Sequence, residues 1–122
     1  MKLTNNEIYT YANQLVGVFN DENQKLPVKI NFYLQKNKNL LVELAQDIER
    51  ERLDIARSNG TLDPEKGQYS IDPDKIESVQ KELTDLFNLE QEVNIYKINI
   101  DSLSDDLTLT TGQMEALMFM ID

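Results

Sequence analysis

Residues able to do chemistry are scarce in this sequence. It has no histidine and no cysteine, which removes imidazole acid–base catalysis, thiol nucleophiles, disulfides and zinc fingers. Ser58, Ser70, Ser78, Ser102 and Ser104 have no imidazole to activate them, and no serine–lysine spacing stands out. The glycine-containing stretches after residue 50 lack any phosphate-binding spacing. Two carboxylate groupings remain. Asp47 and Glu51 stand four residues apart, so on a helix they share a face and could share a metal. In a chain with 22 acids that spacing arises by chance, and a solvated helix face is the simpler account. Asp101, Asp105 and Asp106 offer oxygen ligands to calcium, but the glycine and the terminal glutamate of an EF-hand loop are missing. The expectation is a protein that is not an enzyme, holds no cofactor or metal, and acts through contact with other proteins.

Three features carry signals for such contact. In the run Met114–Ile121, three of the four methionines fall within seven residues, and methionine adapts to the irregular surfaces where partners dock. At helical spacing Phe119 and Met120 point away from the face of Leu117 and Ile121. Met114, Met118, Phe119 and Met120 are therefore candidate partner-binding residues; the alternative is a terminal helix sealing the core on two sides. Asn37 is a candidate of another kind, a polar residue inside an apolar seam, either exposed or fixing the register of a self-associated helix pair. The third feature is acidity, with Asp101, Asp105 and Asp106 as its candidate contact residues.

Net charge is −10, and it is unevenly placed. Residues 1–25 carry −1 and residues 26–60 carry +1, while residues 61–122 have four bases against fourteen acids. Such a field repels DNA, RNA and anionic lipid, so direct nucleic-acid or membrane binding is not expected. It suits solubility, or an acidic face that meets a basic partner or imitates nucleic acid. Hydrophobic residues make up 40% and charged residues 28%, as in a folded soluble chain. At 122 residues a single domain over 1–122 is expected. With neither a signal peptide nor a long apolar run, the expected compartment is the cytoplasm.

Local signals place the elements. Thr4 with Glu7 forms a capping box for a helix over about 5–19, with Ile8, Tyr11, Ala12, Leu15, Val16 and Phe19 on one face; Gly17 inside it suggests a close helix crossing. Ile30, Leu34, Leu41, Leu44, Ile48 and Ile55 then make a stripe of roughly 3.5-residue period, with Asn37 and Glu51 at the vacant seam positions. Pro27 suits the first turn of this long helix and Asn59-Gly60 its end. Val28, Ile30, Phe32 and Leu34 also alternate as a strand would, so 28–34 is open to either structure. Lys29, Lys36 and Lys38 lie at the wrong end for a helix dipole.

Pro64–Gly67 reads as the turn of a small hairpin within 61–72. Asp72-Pro73 opens a third helix with Ile76, Val79, Leu83, Leu86 and Phe87 as its stripe, ending near Glu90. Val93–Ile100 reads as a strand with a bulge near Tyr96-Lys97, pairing with the hairpin, with 28–34 or with another chain. Thr110 with Gln113 caps a C-terminal helix. The expected fold is α+β, mostly α: a long antiparallel helical hairpin with an N-terminal helix, a small β element and a short C-terminal helix. Arg50, Arg52 and Arg57 are expected to meet Asp72, Asp74 and Glu77 across that hairpin, and Lys36 and Lys38 to meet Glu90 and Glu92.

Taken together, Leu-Thr-Asn-x-Glu-Ile at Leu3–Ile8, Lys-Leu-Pro-Val-Lys at 25–29, Phe-x-Leu-x-Lys-Asn at Phe32–Asn37, a looser form of Glu-x-x-x-Glu-Val-x-Ile-x-x-Ile at roughly 90–98 and Leu-Thr-x-x-x-Met-x-Ala-Leu-x-Phe-Met-Ile at Leu109–Ile121 resemble a group of small uncharacterised proteins of tailed phages and prophages. The resemblance spans nearly the whole chain, and its motifs are packing and capping signals that bring no catalytic residues. It implies a viral origin and a role inside the infected cell or in particle assembly. The partner would be another copy, a phage protein or a host protein. The alternative function is that of a small acidic anti-defence inhibitor, occupying the basic nucleic-acid channel of a host nuclease.

Overall fold

Whether residues 28–34 are helix or strand decides the architecture, and they are helix. The computed structural model describes residues 1–19, 26–103 and 108–121, and α2 runs unbroken through Val28–Asn59. A strand would have put Val28, Ile30, Phe32 and Leu34 on one face. Instead Ile30 and Leu34 are buried while Val28 and Phe32 face solvent, which is the four-residue repeat of a helix. Buried Leu41 and Ile48 continue the stripe. At about 1.5 Å per residue, 32 residues span roughly 48 Å.

A stripe of that length needs several covers. The first is α1 (Asn5–Val18), which lays Ile8, Ala12 and Leu15 into the core. Its start is fixed by the expected capping box: the Glu7 amide donates to Thr4 Oγ1 and the Thr4 amide to Glu7 Oε1, at 3.1 and 3.0 Å. The second cover is α3 (Ile76–Asn88), which follows a single 3-10 turn over Pro73–Lys75 and brings Val79 and Leu86 inward. Between α2 and α3 lies the expected hairpin, β2 (Gly60–Asp63) paired antiparallel with β3 (Gln68–Ile71). Its turn holds Gly67 at φ 64° and an Asx hydrogen bond from the Glu65 amide to Asp63 Oδ1. The third cover is α4 (Thr111–Leu117), which packs on α1. It repeats the capping box with Thr110 and Gln113, and the Gln113 side chain donates to the Val18 carbonyl at 2.8 Å, tying α4 to the end of α1. The fold is thus α+β and mostly helical, as the sequence implies.

Three expectations are corrected. The paired strand is not Val93–Ile100 but β4 (Glu90–Glu92), and its partner is β1 (Lys2–Thr4), which none of the expected pairings included. The chain from 93 to 97 joins no ladder and turns at its start, where the Ile95 amide donates to the Val93 carbonyl at 3.0 Å, and Ile98 makes only an isolated bridge to Ile121. The charges expected to cross between α2 and α3 do not cross. Arg50, Arg52 and Arg57 pair with Asp47, Glu49 and Asp54, each three residues back on α2 itself, because such neighbours meet without bridging two elements. Glu90 and Glu92 are taken by Lys2 and the Met1 amino group rather than by Lys36 and Lys38. Finally, Gly17 marks no helix crossing: it is exposed, and a Cβ there would touch nothing within 4 Å.

Two glycines therefore behave oppositely. Gly17→Ala should raise stability by about 0.5–1 kcal/mol, since it removes backbone freedom from the unfolded chain without a clash. Gly60→Ala should lower it by roughly 1–3 kcal/mol, because its Cβ would come 2.6 Å from the Ser70 carbonyl oxygen. Urea midpoints of the two variants should move to opposite sides of the parent.

Candidate protein-binding surfaces

Asn37 is fully buried in the α2 seam. Its Oδ1 accepts from the Tyr96 amide at 2.8 Å and its Nδ2 donates to the Tyr96 carbonyl at 2.9 Å. One side-chain amide thus supplies the donor and the acceptor that a neighbouring strand would have given residue 96. This explains why the 93–97 segment needs no ladder. Val93 and Ile98 sink into the core on either side of that pin, Val93 also held by its amide donating to the Met1 carbonyl. Asn37 is accordingly no exposed contact residue, and its amide is not available to set the register of a second chain. The sequence shows a polar residue in an apolar stripe but not the distant backbone that satisfies it.

The methionine segment divides. Met118 is 66% exposed and Met114 39%, so both lie at the surface although Leu117 between them is buried. Phe119 is half-buried, stacked face to face on Tyr11 with centroids 4.4 Å apart. Met120 is fully buried together with Leu117, contrary to its expected outward direction. After Leu117 the chain tightens into a 3-10 turn over Met118–Met120. At three residues per turn, positions 117 and 120 eclipse on one face. Asp101 is exposed in a short 3-10 turn that Asn99 caps by accepting from the Asp101 amide. Asp105 and Asp106 lie outside the described residues.

Two surfaces that were not named from the sequence stand out instead. The first is a ridge at the N-terminal end of α2. Phe32, Tyr33 and Tyr96 form a run of aromatic contacts, with centroid separations of 6.1 and 5.3 Å. Lys29 lies over the Tyr33 ring and Lys36 over Phe32, at 5.7 and 5.5 Å. Phe32 and Tyr96 are exposed. This end of the helix has no side-chain cap and no acid in its first turn, so its lysines face an unfavourable dipole. That misfit was the available signal.

The second surface is an open groove between α2 and α3. Ile55, Leu86 and Leu89 line it together with Glu51, Glu82 and Asp85. Among the described residues, none of these three carboxylates makes an ion pair. Glu49 and Glu92 differ. A hydrogen bond from Arg52 holds the Glu49 carboxyl below its ordinary pKa, and one from the Met1 amino group does the same for Glu92. Those acids are engaged; the groove acids are not. The groove escaped sequence reading because its two walls, Glu51 with Ile55 and the segment from Glu82 to Leu89, lie at least 27 residues apart in the chain.

Among the described residues no three His, Cys, Asp or Glu side chains converge on a possible metal position, and no helix is long and apolar enough to cross a membrane. No family model, curated protein or solved structure matches the chain.

Asn37→Ala should cost roughly 2–4 kcal/mol, because it removes both part-buried hydrogen bonds to the Tyr96 backbone and empties a fully buried position of the stripe. The checks are the urea midpoint and the exchange rate of the Tyr96 amide, which should rise by orders of magnitude more than that of Leu15 at matched stability. A change in oligomeric mass with an unaltered Tyr96 amide would instead return Asn37 to the role of a register residue between chains.

Proposed function

We propose that this chain is a non-enzymatic protein of phage or prophage origin that acts in the host cytoplasm by binding protein, in an assembly or accessory role. The observation that supports it best is the pairing of exposed apolar side chains with uncommitted charge at two places, the α2 ridge and the α2–α3 groove. Exposed apolar groups rimmed by polar ones are what docking surfaces present. The phage assignment rests on the segment motifs from Leu3–Ile8 through Leu109–Ile121. The protein-binding assignment rests on the two surfaces, and either can fail without the other.

A second possibility, an acidic inhibitor of a host nuclease, draws on the surplus of acids after residue 60. Part of that surplus is neutralised, since Glu90, Glu92 and Asp72 are ion-paired. Glu82 and Asp85 group beside apolar residues in the groove, which favours a peptide-like partner over a phosphate-spaced imitation of nucleic acid.

Affinity capture with the tagged full chain from phage-infected cells, read by mass spectrometry, is the test. The expected result is one protein retained in near-stoichiometric amount, an untagged copy of the chain or a distinct partner, and lost on raising salt to about 0.5 M as screening shortens the reach of the charges. Nothing retained above an empty-tag control would remove the proposal. Protection of phage DNA from a purified host nuclease by the chain alone would move the assignment to the inhibitor.

A further inference from the structure

The ridge and the groove overlap in direction on α2: Lys29, Tyr33 and Lys36 at one end and Glu51 at the other lie within about 60° of one another around the helix. Tyr33 and Glu51 are eighteen residues apart on one unbroken helix, which is five full turns at about 3.6 residues each, so they project in the same direction roughly 27 Å apart. The two surfaces are also opposite in charge and alike in apolar character. Phe32, Tyr33 and Tyr96 carry Lys29 and Lys36; Ile55, Leu86 and Leu89 carry Glu51, Glu82 and Asp85. Neither lysine has an ion-pair partner among the described residues, and neither do the three acids. The distance along the rigid helix forbids a molecule from placing its own ridge in its own groove.

We infer that the occupant of each groove is the ridge of a second copy of this chain, in an antiparallel dimer that uses both contacts at once. Two complementary patches on one face impose this geometry. A two-fold axis perpendicular to α2, running between the two chains at the level half-way between Tyr33 and Glu51, lays each ridge over the other chain's groove, so one closed interface contains the contact twice. The parallel arrangement sets Lys29 and Lys36 against their own copies and Glu51 against its own, and like charges at contact repel. The antiparallel arrangement replaces the unfavourable dipole at the start of α2 with the acids of a partner, so the local misfit of these lysines is relieved on association. The inference rests on the proposal that the chain works by protein contact, and it adds the identity of a partner and the residues that meet.

Sedimentation of the full chain tests it. The parent should reach the mass of two chains at micromolar concentration, with a dissociation constant rising on the order of tenfold between about 50 and 500 mM NaCl. Glu51→Lys/Glu82→Lys and Lys29→Glu/Lys36→Glu should each weaken the dimer by about tenfold or more, because each sets like charges together at both contacts. Mixed in equal amounts, the two variants should recover a heterodimer of near-parental affinity, since ridge and groove are then complementary again. All four positions are exposed, and a thermal melt confirms folding. Should a reversal variant fail to fold, the Glu51→Gln/Glu82→Gln and Lys29→Gln/Lys36→Gln pairs are read at low salt, where each should still weaken the dimer several-fold. A parent that stays monomeric, a mass that climbs past two chains, or a dimer indifferent to both pairs overturns the inference. A monomer that still captures a distinct protein from infected cells sinks only the dimer, whereas a monomer that captures nothing sinks the protein-binding proposal with it.

Discussion

One side-chain amide organises this molecule. Asn37 is the only buried polar residue in the α2 stripe, and a buried amide left unpaired would be costly. It is paired at both ends with the backbone of Tyr96. This exchange settles two problems together: the helix gains a partner for its polar seam residue, and an irregular segment with no neighbouring strand gains one for its peptide. Tyr96 is then fixed against Tyr33, and its neighbours Val93 and Ile98 are delivered to the core. Beyond Ile98, whose amide donates to the Met120 carbonyl, the end of the chain is brought against the same core. A leucine at 37 would pack the stripe better and release that segment.

The elements were legible in the sequence wherever the determining contacts are local. Thr4 with Glu7, Thr110 with Gln113 and Pro64 with Gly67 each encode a boundary within four residues, and each stands where it was expected; Asp72 with Pro73 opens a 3-10 turn without a side-chain cap, and α3 begins only at Ile76. The strand over 93–100 was misread because β propensity reports an extended backbone and not what satisfies it. The satisfying groups are Met1, Asn37 and Met120, far away in the chain. The paired residues Glu90–Glu92 carry almost no strand propensity, and they pair because Asn5 pins the end of α3 beside them. Its amide and side chain donate to the carbonyls of Leu89 and Leu86, and its Oδ1 accepts from Gln91.

Charge was harder to read than apolarity, for a reason of magnitude. An exposed pair contributes well under 1 kcal/mol, so ion pairs follow geometry set by burial rather than setting it. The arginines of α2 accordingly take the nearest acids on their own helix, at three-residue spacing. What this leaves over is informative. Once the local pairs are made, the unmatched lysines of α2, Lys29, Lys36 and Lys38, lie toward its start, and Glu51 lies toward its end beside Glu82 and Asp85 of α3. Neither group was identifiable as unmatched until the pairs around it were known.

The cations of the ridge lie over aromatic rings instead of carboxylates, and this bears on how readily they exchange partners. A lysine over an exposed ring gains about 0.5–1 kcal/mol, close to what an exposed salt bridge gives. A carboxylate brought against Lys29 or Lys36 need not displace the ring, because an ammonium has three donors and the ring uses one face. The aromatic contact therefore holds each lysine in place on the free chain, reducing the side-chain entropy lost when an acid arrives. The helix start, unfavourable to these lysines by its dipole, is in that sense a surface set in advance for negative charge.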